Sequence, residues 1–131
     1  MKTSWLLLAL LLLVGWSDLF AAQPESYYRD LWCDARDGQT EFRLPDGSRV
    51  DCLTKNFAVE VDFAKKWAEA VGQSLWYAAN TGRMAKIVLI VDHADNSDMR
   101  RLERLEKLIW HYGLPVDVET IDKAIPLGGQ P

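Results

Sequence analysis

Residues 49–63 read RVDCLTKNFAVEVDF. Residues 49–54 form a short extended run and residues 57–63 are rich in Val and Phe, which predicts two β-strands separated by a turn of only two residues. Such a turn pairs Thr54 with Phe57, and counting back along both strands sets Asp51 opposite Glu60. Because directly opposite residues point to the same face of a sheet, the register predicts that these two carboxylates lie together.

The same register places Arg49 opposite Asp62, so a third carboxylate joins the face. The residues predicted to point the other way are all small and apolar, namely Val50, Cys52, Val59 and Val61. Carboxylates at this spacing repel one another unless they are protonated or bridged by a cation, and an oxygen-only set suits Mg²⁺ or Mn²⁺. The alternative is an ordinary solvated strand face with an Arg49–Asp62 ion pair.

The rest of the chain predicts a single α/β domain with a mixed central sheet and flanking helices. Two hairpin turns come first and a crossover helix follows, which requires both antiparallel and parallel strand pairs. The predicted helices are 25–36, with Ser26 as candidate cap, 64–81 and 95–112, and the predicted strands are 40–44, 49–54, 57–63, 86–91 and 116–121. The domain spans 23–131, and 127–131 is predicted to be a loose tail.

The helix predicted at 64–81 carries a polar stripe. Lys66, Gln73 and Tyr77 are seven and four residues apart, so they share one side of the helix, opposite Trp67 and Val71. The stripe follows directly after the acidic strand. A solvated helix face is the alternative interpretation.

Taken in order, these motifs resemble the PD-(D/E)xK nuclease superfamily. Its members share an αβββαβ core, the acidic motifs, and in some branches a Gln-x-x-x-Tyr helix such as Gln73 to Tyr77. The resemblance, over roughly residues 25–91, implies a metal-dependent nuclease that hydrolyses phosphodiester bonds. It implies that Asp51 and Glu60 bind the metal, that Glu41 is an additional acidic ligand, and that nucleic acid, DNA more than RNA, is the partner.

The chain departs from the family pattern at one position. The family's catalytic lysine would stand two residues after Glu60, where this chain has Asp62, which we expect to add a metal contact. Some members supply the lysine from the next helix, and Lys66 is the first candidate, with Lys65 second. The alternatives are a catalytically inactive nuclease-fold domain that binds a partner and a structural envelope protein with an incidental acidic strand.

The N-terminal residues 1–22 predict a signal peptide. Lys2 is followed by an apolar run from Trp5 to Val14 and by the small residues Ala21 and Ala22. An uncleaved membrane anchor is the alternative, but the run is shorter than the roughly 20 residues that a membrane-spanning helix needs. We therefore expect a secreted or periplasmic protein without a stable membrane span after processing.

The composition of the mature chain agrees with export. Cys33 and Cys52 are the two cysteines of the sequence, and in an oxidising compartment they are predicted to form a disulfide, with two buried thiols as the alternative. Cleavage after residue 22 removes one Lys and one Asp, so the formal net charge stays at −4. That charge argues against a protein that coats DNA non-specifically.

Overall fold

A computed structural model of the chain describes residues 23–125. The predicted signal peptide at 1–22 and the tail at 127–131 lie outside the described residues. The order of elements is helix, three strands, helix, strand, helix, strand, as predicted. The helices are α1 (Glu25–Asp34), α2 (Trp67–Thr81) and α3 (Asn96–Tyr112), and the strands are β1 (Gln39–Arg43), β2 (Arg49–Leu53), β3 (Phe57–Phe63), β4 (Met84–Val91) and β5 (Val116–Asp122).

The five strands form one sheet in the order β1-β2-β3-β4-β5. The pairs β1–β2 and β2–β3 are antiparallel, whereas β3–β4 and β4–β5 are parallel. The parallel pairs need crossover connections, which α2 and α3 provide. The predicted mixed α/β sheet with flanking helices is therefore confirmed.

Local turn chemistry sets the two hairpins. Gly47 adopts a φ of +87° and the Asp46 side chain accepts a hydrogen bond from the Ser48 amide at 3.0 Å, which closes the first turn. In the second turn, the Thr54 amide donates to the Phe57 carbonyl at 2.9 Å. The predicted register therefore holds at the start of this hairpin.

Helices cover both faces of the sheet. On one face, Tyr28 and Trp32 of α1 pack with Val59, Val61 and neighbouring strand residues. On the other face, α2 and α3 pack against Ile87, Leu89 and Val91 of β4, with Leu105 fully buried between them. Because β4 is covered on both sides, its continuous run of apolar residues is explained.

Two helix starts differ from the prediction. Helix α1 begins at Glu25, directly after Pro24, so Ser26 is not its cap. The segment predicted as a continuous helix over 64–81 begins with a single 3-10 turn, Ala64–Lys66, and the α-helix starts only at Trp67. Lys66 therefore belongs to the 3-10 turn and not to the α-helix.

The Cys33–Cys52 disulfide is formed, with the two Cα atoms 5.8 Å apart, and it joins α1 to β2. Gly38 packs directly over it, because a Cβ at this position would lie 2.4 Å and 2.6 Å from the two sulfur atoms. A disulfide is typical of proteins that fold in oxidising compartments. Among residues 23–125, no helix is both long and apolar enough to span a bilayer.

Candidate functional site

Strands β2 and β3 separate at Asp51. Their backbone pairing covers Leu53 with Ala58 and Cys52 with Val59. Beyond that point, the amide of Val61 donates to the Asp51 side chain at 2.8 Å. One carboxylate oxygen therefore takes a hydrogen bond that a regular antiparallel ladder would give to a β2 carbonyl.

The alternation of side chains along β2 also breaks at this residue. Cys52 packs with Val59 and Val61 on the α1 face, whereas Val50 packs with Ala58 and Tyr77 on the opposite face. The prediction that Val50 points the same way as Cys52 is therefore wrong.

The neighbouring strand is irregular at the same level of the sheet. Glu41 of β1, which would pair with Asp51, has a φ of +55° and is skipped in the β1–β2 pairing. An irregularity of this kind bends a strand and redirects its side chains, and it is common beside functional sites.

The carboxylates of β3 are deeply buried. Glu60 is 4% exposed and Asp62 is 2% exposed. Both occupy positions that alternate with Val59 and Val61, as the sequence predicts. Asp51 reaches Glu60 across the gap between the strands, and each influences the pKa of the other.

The pKa values of all three carboxyl groups in the cluster are raised. Burial, followed by the charges of Asp51 and Asp62, raises the pKa of Glu60 to about 10. Burial raises the pKa of Asp51 to about 6, although the hydrogen bond from Val61 opposes the change. Burial and the nearby Glu25 raise the pKa of Asp62 to about 7. In the absence of a cation, the folded protein therefore carries less negative charge here than three carboxylates would suggest.

Two buried side-chain oxygens, one of the cluster and one of α2, lack a hydrogen-bond partner among residues 23–125. They are Oε2 of Glu60 and Oε1 of Gln73, and both are buried. A buried acceptor without a donor costs about 1–3 kcal/mol. The Glu60 carboxyl avoids this cost in the metal-free protein by keeping the proton that its raised pKa favours, and once ionised it would need a cation or another donor. The role that the resemblance implies for Gln73 at the site stays a prediction.

Tyr77, on α2, lies close to Glu60 and Asp51. It is 5% exposed, and burial together with the charges of Glu60 and Asp51 raises the pKa of its phenol, which stays protonated at neutral pH. Tyr77 therefore does not lie on a solvated helix face, and that alternative is excluded for this residue.

Lys66 lies at the outer edge of the acidic cluster. Its ammonium is 3.4 Å from Oδ1 of Asp62 and 3.6 Å from Oε2 of Glu25, and both charges raise its pKa. The predicted alignment of Lys66 with the α2 stripe assumed a continuous helix, whereas the residue belongs to the 3-10 turn before α2. Lys66 contacts the cluster by its ion pair with Asp62, and its side chain is 44% exposed.

Glu41 is held by two arginines. Its Oε1 contacts Arg29 of α1, and its Oε2 lies 2.9 Å from Arg49 of β2. Both oxygens are therefore engaged, which does not fit the metal-ligand role that the resemblance implied for Glu41. The predicted Arg49–Asp62 pair is also replaced, because Arg49 contacts Glu41 and Asp62 contacts Lys66.

The backbone conformation of Glu41 costs stability, and its ion pairs return some of it. A non-glycine residue in the left-handed region costs about 1–3 kcal/mol. Partly exposed ion pairs such as those of Glu41 return about 0–1 kcal/mol each. The ion pairs therefore offset part of the backbone cost at this position.

Two residues of α1, Glu25 and Arg29, were not predicted from the sequence. Glu25 lies near Asp62 and Lys66. Burial opposes a rise in the pKa of Arg29, but Asp30, followed by Glu41 and Asp51, raises it. Glu25 and Arg29 are four residues apart and share one side of α1. That spacing was the available signal, but it does not indicate which strand the helix crosses.

The arrangement suits a hard divalent cation held by two carboxylates. Among residues 23–125, no group of three or more His, Cys, Asp or Glu side chains is spaced to hold a metal. Mg²⁺ does not require such a group, because it commonly takes one or two carboxylates and completes its shell with water and substrate phosphate. The unpartnered oxygen of Glu60 beside Asp51 fits this mode of binding.

Comparison with known proteins gives no match to this chain among protein-family models, curated proteins or solved structures.

Proposed function

We propose that this chain is an exported, metal-dependent nuclease of the PD-(D/E)xK type that hydrolyses phosphodiester bonds. The observation that carries the proposal is the buried Oε2 of Glu60, which lacks a partner among the described residues and lies in the gap where β2 and β3 separate. The acceptor is next to a second carboxylate, Asp51. A Mg²⁺ or Mn²⁺ ion would satisfy both residues.

The carboxylates divide into two roles. Asp51 and Glu60 would hold the cation. Asp62, which is already paired with Lys66, would add negative charge beside the cation. A bound cation supplies electrostatic stabilisation of the scissile phosphate and lowers the pKa of an attacking water. Cation binding also requires Glu60 to release its proton, because the carboxylate ligates in its ionised form.

The residues around the pair would orient the substrate. Tyr77 remains a hydrogen-bond donor over a wide pH range because the pKa of its phenol is raised. The exposed ammonium of Lys66 is available to offset charge that develops on the phosphoryl oxygens. Lys66 thus supplies the positive charge that Asp62 cannot.

Export and the substrate class belong to the same proposal. The disulfide supports folding in a secreted or periplasmic setting, because such bonds persist where thiols are oxidised. Nucleic acid is the proposed partner, DNA more than RNA, and the net charge of −4 favours a local contact over broad coating of a duplex.

A second function, an inactive nuclease-fold binding module, is favoured by one observation. Lys66 lies between two carboxylates, Asp62 and Glu25, and this arrangement offsets its charge. If substrate binding does not free Lys66, the site retains acidic residues but lacks a catalytic cation. Such a domain would bind metal or a partner without cleaving a bond.

The test is cleavage of labelled single- and double-stranded DNA and RNA with Mg²⁺ or Mn²⁺. We expect the wild type to cut and Asp51→Asn to lose activity by at least about 10²-fold, because a metal ligand is removed. Asp34→Asn, an exposed change on α1, is the matched control and should cut normally. A wild type that binds metal but cuts none of the four substrates would establish the binding module instead.

A further inference from the structure

Two arginines from different elements converge on one carboxylate beside the acidic cluster. Arg29 comes from α1, Arg49 comes from β2, and each contacts a different oxygen of Glu41. Arginine is the side chain best suited to bind carboxylate and phosphate oxygens through its fixed fork of donors. A carboxylate bound by two guanidinium groups therefore occupies a position that a phosphate can also fill.

The location of this arginine pair connects it to the proposed metal site. Arg29 interacts electrostatically with both Glu41 and Asp51. The pair thus lies on the Asp51 side of the gap between the strands, whereas Lys66 lies on the Asp62 side. A phosphodiester chain that crossed the gap would meet positive charge at both ends.

Glu41 is accessible and held in an unusual way. Its side chain is 36% exposed and that of Arg49 is 58% exposed, so solvent reaches the contact. The backbone of Glu41 lies in the left-handed region that disfavours most side chains. The irregular backbone directs an acidic side chain onto the arginines, where it competes with any other anion.

We propose that Arg29 and Arg49 form a binding site for a backbone phosphate of nucleic acid next to the metal pair, and that Glu41 occupies this site in the free protein. The inference rests on the proposed nuclease function for its substrate class. Binding of a strand displaces the Glu41 carboxylate from the arginines. Glu41 is then a residue that limits affinity, not a metal ligand.

This assignment predicts opposite effects for the acid and for the bases. Glu41→Gln removes the competing negative charge and keeps the shape of the side chain, so affinity for a strand should rise by about tenfold. Arg49→Ala should lower affinity and make the dependence of log affinity on log salt shallower by about one, the expected effect of losing one phosphate contact. The double variant Glu41→Gln/Arg49→Ala should lose the gain.

The experiment is fluorescence anisotropy of a short labelled single-stranded oligonucleotide in EDTA, over a range of salt concentrations. Glu106→Gln, an exposed change on α3, alters the net charge by the same amount and should change affinity less than about twofold. If Glu41→Gln binds no more tightly than Glu106→Gln, or if its gain survives in the double variant, the phosphate site is refuted. Thermal melts of each variant check that the fold is retained.

The outcome is separable from the fate of the proposed nuclease function. The anisotropy measurement contains no divalent cation and scores no cleavage. Tighter binding by Glu41→Gln in a protein that cuts nothing would reject the nuclease and keep the phosphate site. Normal cleavage by the wild type with unchanged binding by Glu41→Gln would keep the nuclease and reject the phosphate site.

Discussion

Replacing Glu60 with Gln should stabilise the metal-free protein at neutral and alkaline pH. A glutamate usually titrates near 4.5, whereas the pKa of Glu60 is raised to about 10 by burial and by Asp51 and Asp62. A carboxyl with a raised pKa contributes stability below the pKa of the unfolded chain. That contribution is lost progressively as the pH rises towards the pKa of the folded state.

The magnitude follows from these two values. Each unit of pH above 4.5 favours the unfolded chain by about 1.4 kcal/mol until Glu60 ionises in the folded protein. At pH 7 the loss is on the order of 3 kcal/mol, which corresponds to a fall in Tm of roughly 10 °C for a domain of this size. Because Glu60 is only 4% exposed, solvent screening reduces this figure little.

The assay is thermal or urea unfolding in EDTA between pH 5 and pH 9. Wild-type stability should fall across this range, whereas Glu60→Gln, which has no proton to lose at this position, should give a flatter profile. Glu106→Gln, on the surface of α3, should retain the wild-type slope. Equal slopes for the wild type and Glu60→Gln would refute the account of a protonated, buried Glu60.

Two further predictions concern the disulfide and the lysine. Gly38→Ala should destabilise the protein by about 1–3 kcal/mol, because its Cβ would collide with both sulfur atoms of the Cys33–Cys52 bridge. A thermal melt would measure the loss of stability, and a thiol assay would show whether the bridge is intact. An unchanged Tm with an intact bridge would contradict the close packing. Lys66→Ala should slow single-turnover cleavage by about 10²–10³-fold while costing at most about 1 kcal/mol of stability, because its side chain is 44% exposed. Lys65→Ala should have little effect on the rate, and equal rates for all three proteins would exclude the proposed role of Lys66.

The elements of the fold were predictable because their signals are local. The apolar run of β4 and the Gly residues that end α2 and α3 depend only on neighbours in the chain. The turn between Thr54 and Phe57 fixed the register of β2 and β3 in the same way. Glu60 and Asp62 share a face because they are two residues apart on β3, as predicted.

The details of the site were less predictable because they depend on contacts between distant residues. The break in β2 arises where the Asp51 side chain binds the Val61 amide and Glu41 enters the left-handed region, neither of which has a periodic signal. The roles of Arg29 and Glu25 depend on where α1 crosses the sheet. The sequence pattern predicted one continuous helix from residue 64 and did not show the 3-10 turn to which Lys66 belongs.

The most direct test of the central claim is a calorimetric titration of the metal-free protein with Mn²⁺, repeated in buffers of different ionisation enthalpy. The account predicts that the wild type binds the ion and releases a proton, because Glu60 must ionise to bind it. Asp51→Asn and Glu60→Gln should lose this binding, and Asp34→Asn should retain it. Failure of the wild type to bind millimolar Mn²⁺, or undiminished binding in Asp51→Asn, would contradict the assignment of the metal to Asp51 and Glu60.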